Sequence, residues 1–332
     1  MRWIRPLFPT TFSVLAAFLA IAVARPAAAS CGCEYCPLDQ GLQWHEARFS
    51  FDLSQQYIDQ DQPRVGSEDA VVGQIPSTHD EIRTVNRATT AGLTYRPSGA
   101  WALSASLPWA SRFHEHIHHV DPGTSEMQRW SYTGFGDLQV QATHLFSLGG
   151  GSSPRCFVRL GGKAPTGRTH VPLVDGDAPE PAYRPGTGSW DLLAGAGVEW
   201  RVTAPGFAGG GRTMPLRASV SGRVNGKGTE DYRVGSELEA NVGTELPVAG
   251  PLSLQLQGNF RVRAKDDVGQ DVEDSPGNTG SAMAFVSPGL GFEIMPRTTI
   301  TGLVQIPVYQ RVNGIQLVAK TNLYVAFTRS ML

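Results

Sequence analysis

The stretch "SWDLLAGAGVEWR", residues 189–201, places two tryptophans ten positions apart with strict alternation between them. Its even positions are all apolar: Trp190, Leu192, Ala194, Ala196, Val198 and Trp200. Ten residues at about 3.3 Å each, tilted by about 40°, rise about 25 Å, the height of the lipid-facing band of an outer-membrane barrel. Tryptophan is enriched at both membrane interfaces. The stretch therefore predicts a membrane-crossing β-strand.

Eleven further segments alternate in the same way. The twelve lie near 44–57, 82–96, 100–112, 132–146, 155–165, 188–202, 215–225, 231–246, 252–264, 280–294, 298–311 and 315–328. Tight turns, such as 295–297, alternate with polar connections that are mostly long, such as 113–131. We predict an all-β fold: one transmembrane antiparallel β-barrel of about 12 strands over residues 44–332, with short periplasmic turns and long external loops. A secreted β-sandwich is the alternative.

The N-terminus predicts export. Residues 1–29 combine two early arginines, an apolar stretch over 12–24 and small residues at Ala27 and Ala29, which is the pattern of a signal peptide. No later apolar run is long enough for a membrane helix. We therefore expect the outer membrane of a Gram-negative bacterium, with lipid, lipopolysaccharide and the barrel-assembly machinery as partners. A net charge of −2 and the absence of a basic stripe argue against nucleic acid.

Five blocks in order carry a family resemblance. They are "TGFGDLQVQATHLF" (133–146), "GKAPTGRTH" (162–170), "GTGSWDLLAGAGVEW" (186–200), "RVNGKGTEDYRVGSELEANVGTELPV" (223–248) and the stretch from "VSPGLGFEI" to "NLYVAF" (286–327). Over roughly residues 85–328 the chain resembles the outer-membrane barrel family of transporters named after the phenol meta-cleavage degradation pathway. The resemblance implies a channel or transporter for small, hydrophobic or aromatic, organic compounds. The chain departs from the pattern by ending in "FTRSML", without a terminal aromatic residue.

Two clusters outside that resemblance suggest metal or thiol chemistry. Cys31, Cys33 and Cys36 lie in a predicted periplasmic segment, 30–43, and could form a disulfide with Cys156, bind Cu or Zn, or, at Cys31, carry a lipid. The stretch "FHEHIHHV" provides the second set of candidate Cu or Zn ligands, or else a solvated loop: His114, His116, His118 and His119. No other cofactor is predicted.

The polar face of the strands predicts the lining of the barrel. The candidate lumen residues are Glu199, Arg201, Arg233, Glu237, Glu239, Arg261, Arg263 and Lys320. Interleaved charges of both signs indicate a polar lumen with weak net selectivity, or ion pairs that fill a narrow barrel. No nucleophile–histidine pair is evident, so we expect a channel for a small-molecule solute rather than an enzyme. A metal-linked outer-membrane component and a non-conducting receptor or structural barrel are the alternatives.

Overall fold

A computed structural model describes residues 47–74, 80–121, 124–149, 154–171, 179, 181–204, 212–268 and 276–331. The predicted signal peptide, 1–29, and the cysteine segment, 30–43, lie outside these residues. Within them, no helix has the length and apolarity to span a bilayer. Regular structure is almost entirely β-strand.

Fourteen strands follow one another along the described chain. They are β1 (Phe49–Val65), β2 (Glu68–Asp69), β3 (Glu81–Ser98), β4 (Trp101–Asp121), β5 (Thr124–Phe135), β6 (Leu138–Ser147), β7 (Arg155–Ala164), β8 (Asp191–Ala204), β9 (Arg212–Asn225), β10 (Glu237–Ala249), β11 (Leu252–Arg263), β12 (Ser281–Met295), β13 (Thr298–Val312) and β14 (Ile315–Met331).

Twelve of these strands form a closed antiparallel ring. The order runs β1, β3, β4, β6 and then consecutively to β14, which pairs back with β1. β5 pairs with residues 109–121 of β4, at its external end. After Gly136 and Asp137 the chain continues as β6, which pairs with residues 101–106 of β4, at its periplasmic end. Closure pairs the backbone groups that an open sheet edge would expose to lipid. The predicted twelve-strand barrel is confirmed.

The two faces of the wall differ as the opening stretch predicts. Trp190 and Leu192 are 71% and 53% exposed, whereas Asp191 between them is only 6% exposed. Large apolar side chains on the other strands, such as Leu254 and Val325, are also exposed, and polar side chains fill the interior. This inverted distribution is that of a barrel surrounded by lipid.

One predicted external loop is a β-hairpin instead. The sequence predicts a loop over residues 113–131, but β4 runs to Asp121 and β5 starts at Thr124, in antiparallel register. The pairing raises this side of the wall above the apolar band. The loop prediction is wrong because it rests on the polar sequence of residues 113–131, and an antiparallel strand outside the bilayer needs no apolar outward face.

The outward face gives a first prediction. Val242, 50% exposed on β10, would meet lipid, so Val242→Arg should lower the free energy of unfolding by about 2–4 kcal/mol near the bilayer midplane. Val71 is 67% exposed outside the strands, and Val71→Arg serves as the matched control with little expected effect. Urea unfolding in lipid vesicles measures both variants. Equal stability of the two would contradict a lipid-facing Val242.

Candidate functional site in the barrel interior

A buried ion-pair network lies at the external end of three neighbouring strands. The ammonium of Lys163 on β7 lies 2.7 Å from a carboxylate oxygen of Asp137 and 2.9 Å from one of Asp191. All three residues are at most 6% exposed. They come from three of the blocks that carried the family resemblance, although sequence reasoning gave them no role. The fold therefore assembles separate motifs into one site.

This network anchors the connection between β7 and β8. The carboxylate of Asp137 also accepts hydrogen bonds from the backbone N–H groups of Gly167 (2.8 Å) and Thr187 (3.1 Å). A Cβ added at Gly186 would lie 2.6 Å from the carbonyl carbon of Gly167, so glycine is required for this close approach. The two ends of the connection are thus held together beside the wall.

Between these anchored ends, residues 181–187 fold into the barrel, and we call them the inward segment. Pro181 and Tyr183 in its short 3-10 turn are buried. The hydroxyl of Tyr183 donates to Oε1 of Glu81 at 2.5 Å, and Arg184 pairs with Glu230 at 2.6 Å. Side chains from two other external regions therefore hold the segment in place.

Aromatic and histidine rings pack around the inward segment. The centroid of the His114 ring lies 4.7 Å from the ring centroid of Trp130 and 5.4 Å from that of Tyr183. His114 is 5% exposed, and its Nδ1 lies 2.8 Å from the hydroxyl of Thr84. The His116 ring is 5.2 Å from that of His114. These two histidines thus belong to the strand wall rather than to a solvated loop.

The metal prediction gains no support from the described residues. Among them, no group of three or more histidine, cysteine or acidic side chains could hold a metal ion. The side chains of His118 and His119, and all of Cys31, Cys33 and Cys36, lie outside the described part of the chain. A site that uses them stays a prediction.

Cys156 lies on the outward face of the wall. Its neighbours in register are Phe146 and Val198, and the alternating residues Val158 and Leu160 are exposed. A disulfide from this position would pass along the outside of the barrel rather than across its mouth. Its proposed partners lie outside the described residues, so the pairing stays a prediction.

Five of the eight predicted lumen residues are buried in the interior, at 9% exposure or less: Glu199, Glu237, Glu239, Arg261 and Arg263. Glu237 contacts the guanidinium groups of both Arg223, at 2.7 Å, and Arg261. Nearer the periplasmic end, Glu199 pairs with Arg217 at 2.9 Å. Sequence reasoning missed Arg223 and Arg217, although both alternate with outward apolar residues on β9.

The other three predicted lumen residues are exposed to solvent. Arg201 lies at the periplasmic opening, and Arg233 pairs with Asp267 at 2.7 Å in the external connections. Lys320 is 68% exposed and 3.9 Å from Asp61. A register irregularity between β1 and β14 interrupts the alternation beside Lys320, so its predicted place among the interior charges is wrong.

Neutral amides continue the interior lining along β10 and β11 and onto β13 and β14. Asn259 donates to Asn241 at 2.8 Å and accepts from the hydroxyl of Ser287 at 2.6 Å. On the next strands, Asn322 donates to Gln305 at 2.7 Å. These hydrogen bonds satisfy buried polar groups without adding charge.

Two cavities lie one above the other in the interior. The external one, of about 160 Å³, is lined by Ala182, Arg184 and Thr187 of the inward segment, and the periplasmic one has about 320 Å³. Four strands contribute one residue to the external cavity and the next inward-facing residue to the periplasmic cavity. In that order, the pairs are Gln56 and Ser54, Ala88 and Thr90, Gln139 and Gln141, and Arg223 and Ser221. Because alternate residues share a face, the cavities are adjacent along the barrel axis.

The periplasmic cavity is rich in hydroxyl groups. Its lining includes Ser54, Thr90, Thr94, Ser104, Ser106, Thr143, Ser219, Ser221 and Thr328. Asp52, Arg159 and Glu239 add charges of both signs. The mixed polar lining agrees with the polar lumen expected from the alternation.

The fold and its polar interior define the class of the protein, an outer-membrane β-barrel. The chain belongs to the family described as "Putative MetA-pathway of phenol degradation", whose model matches residues 123–313. Its fold is similar to that of an outer membrane channel from Pseudomonas putida F1, with TM-score 0.63 and 12% identity, covering 89% of this chain and 99% of that one.

Another solved structure is less similar. The transport unit of the autotransporter AIDA-I from Escherichia coli gives a TM-score of 0.46 at 10% identity, covering 89% of this chain and 93% of that one. No curated protein sequence matches the chain.

Proposed function

We propose that this protein is an outer-membrane channel that passes small organic compounds through the barrel interior. The observation that carries the proposal is the pair of adjacent polar cavities, bounded on the external side by the inward segment. The similarity in fold to an outer membrane channel supports it. The proposal assigns the protein passive transport and no reaction.

The solute class rests on two supports. The family description refers to phenol degradation, which points to aromatic or phenolic compounds. Apolar and aromatic side chains also line the external cavity, among them Ile58, Tyr132 and Val234. A small aromatic compound with a polar substituent matches this combination of apolar and polar lining.

Solute flux into proteoliposomes tests the proposal. We expect liposome swelling with a pentose and with benzoate, and much slower swelling with a disaccharide, because the external cavity is only about 160 Å³. Protein-free liposomes give the baseline, and heat-modifiable migration confirms folding. Swelling no faster than the baseline with every solute, from the mature chain and also from a version that begins at Gly41, would overturn the channel.

The second candidate is a barrel without a through-path. The buried ion pairs of Glu237 and Glu199 favour it, because paired charges can fill a narrow barrel. This candidate predicts no flux for any solute from a fully folded protein. The same swelling experiment therefore separates the two.

A further inference from the structure

The outward face of the wall carries an organised row of hydrogen-bond donors at the external membrane boundary. The boundary is marked by Trp109 and Phe135, which are paired in register on β4 and β5 with ring centroids 4.5 Å apart. Both rings are about half exposed, and Gln55 and Thr89 continue their row across β1 and β3. Aromatic residues of this kind form the girdle of outer-membrane barrels.

The next outward row towards the external side carries hydrogen-bond donors, and one of them, the Tyr57 hydroxyl, already donates to Asp59 at 3.2 Å. Register pairs Tyr57 with Arg87, Arg87 with Ser111, and Ser111 with Thr133, so the row crosses β1, β3, β4 and β5. Its position, directly above the aromatic row, is where the head groups of the outer leaflet begin. We call these four residues the donor row.

Arg87 is the charged centre of the donor row. Its guanidinium lies 5.4 Å from the centre of the Tyr57 ring, and the side chain is exposed. The nearby carboxylate of Asp59 is held by another arginine, because Arg83 contacts it through Nε at 2.8 Å and Nη2 at 2.6 Å. Arg83, Arg87 and Asp59 together carry one net positive charge.

We propose that the donor row binds a phosphate group of lipid A, the membrane anchor of lipopolysaccharide. Arginine is suited to phosphate because its planar guanidinium presents several N–H donors, and the hydroxyls of Ser111 and Thr133 can supplement them. In the outer membrane the external leaflet is built of lipopolysaccharide, so the lipid facing this row is a phosphorylated glycolipid.

The test measures binding of diphosphoryl lipid A to the full mature chain in detergent, with Arg87→Gln as the variant. A basic side chain near an anionic membrane surface contributes about 1 kcal/mol, so the affinity should fall about fivefold. Arg129→Gln is the matched control, because Arg129 is an exposed arginine farther along β5 that pairs with Glu115. The Arg129→Gln variant should bind diphosphoryl lipid A as tightly as the wild type, and Arg87→Lys should retain most of the binding.

Dephosphorylated lipid A and phosphatidylglycerol distinguish the source of the phosphate. We expect the wild type to bind both more weakly than diphosphoryl lipid A, and Arg87→Gln to leave the affinity for dephosphorylated lipid A unchanged. The proposal is overturned if Arg87→Gln binds diphosphoryl lipid A as tightly as the wild type. Equal wild-type affinity for dephosphorylated lipid A or for phosphatidylglycerol would also overturn it.

Discussion

Replacing Lys163 with methionine is expected to lower the free energy of unfolding by about 3–5 kcal/mol. The methionine would fill similar space but leave the carboxylates of Asp137 and Asp191 buried without their shared cation. Removing one partner of a buried ion pair is costly because the other charge cannot regain its hydration. Urea unfolding of the protein in lipid vesicles measures the change.

Lys227→Met is the matched control for this variant. Lys227 pairs with Asp231 at 2.6 Å, but both side chains are more than half exposed. Exposed pairs on this scale contribute about 0–1 kcal/mol, so the control should unfold almost as the wild type does. Equal loss of stability in the two variants would contradict an anchoring role for Lys163.

Replacing residues 181–185 with glycine and serine is expected to widen the passage. The change removes the Tyr183 ring and the Arg184 guanidinium, which occupy the external half of the interior, and leaves the anchors at Asp137 and Gly167 in place. In the swelling experiment, we expect pentose flux to rise several-fold and the disaccharide to enter as well.

The control for this variant is a glycine and serine replacement of the same length at residues 70–74, in the external connection after β2. It should leave the flux of both solutes at the wild-type level. If the 181–185 variant folds and its flux also equals that of the wild type, the inward segment does not limit passage.

The strands were predictable because their signal is local. Between Trp190 and Trp200 the alternation alone identifies which residues face lipid, and the structure confirms it at Leu192 and Asp191. Lys320 shows where this reasoning fails. The register of β1 against β14 shifts between Ile58 and Gln60, and this shift moves Lys320 away from the interior face. It arises from the pairing of two strands that are far apart in the sequence.

The candidate site was only partly predictable for a related reason. The interior charges Glu237 and Arg261 follow from alternation, but their shared partner Arg223 depends on which strands become neighbours. Likewise, the approach of Asp137, directly before β6, to Lys163 on β7 joins residues 26 positions apart. The only available signal was their presence in the blocks of the family resemblance, which identifies residues without giving their contacts.

Single-channel current through the refolded protein in a planar bilayer is the most direct test of conduction through the barrel interior. The recording should compare the mature chain with a version that begins at Gly41, so that the cysteine segment is present in one and absent in the other. We expect a steady, ohmic current in the shorter version, and the current of the mature chain reports whether the cysteine segment obstructs the barrel. Silence from both versions, with folding confirmed, would show that the barrel interior does not conduct.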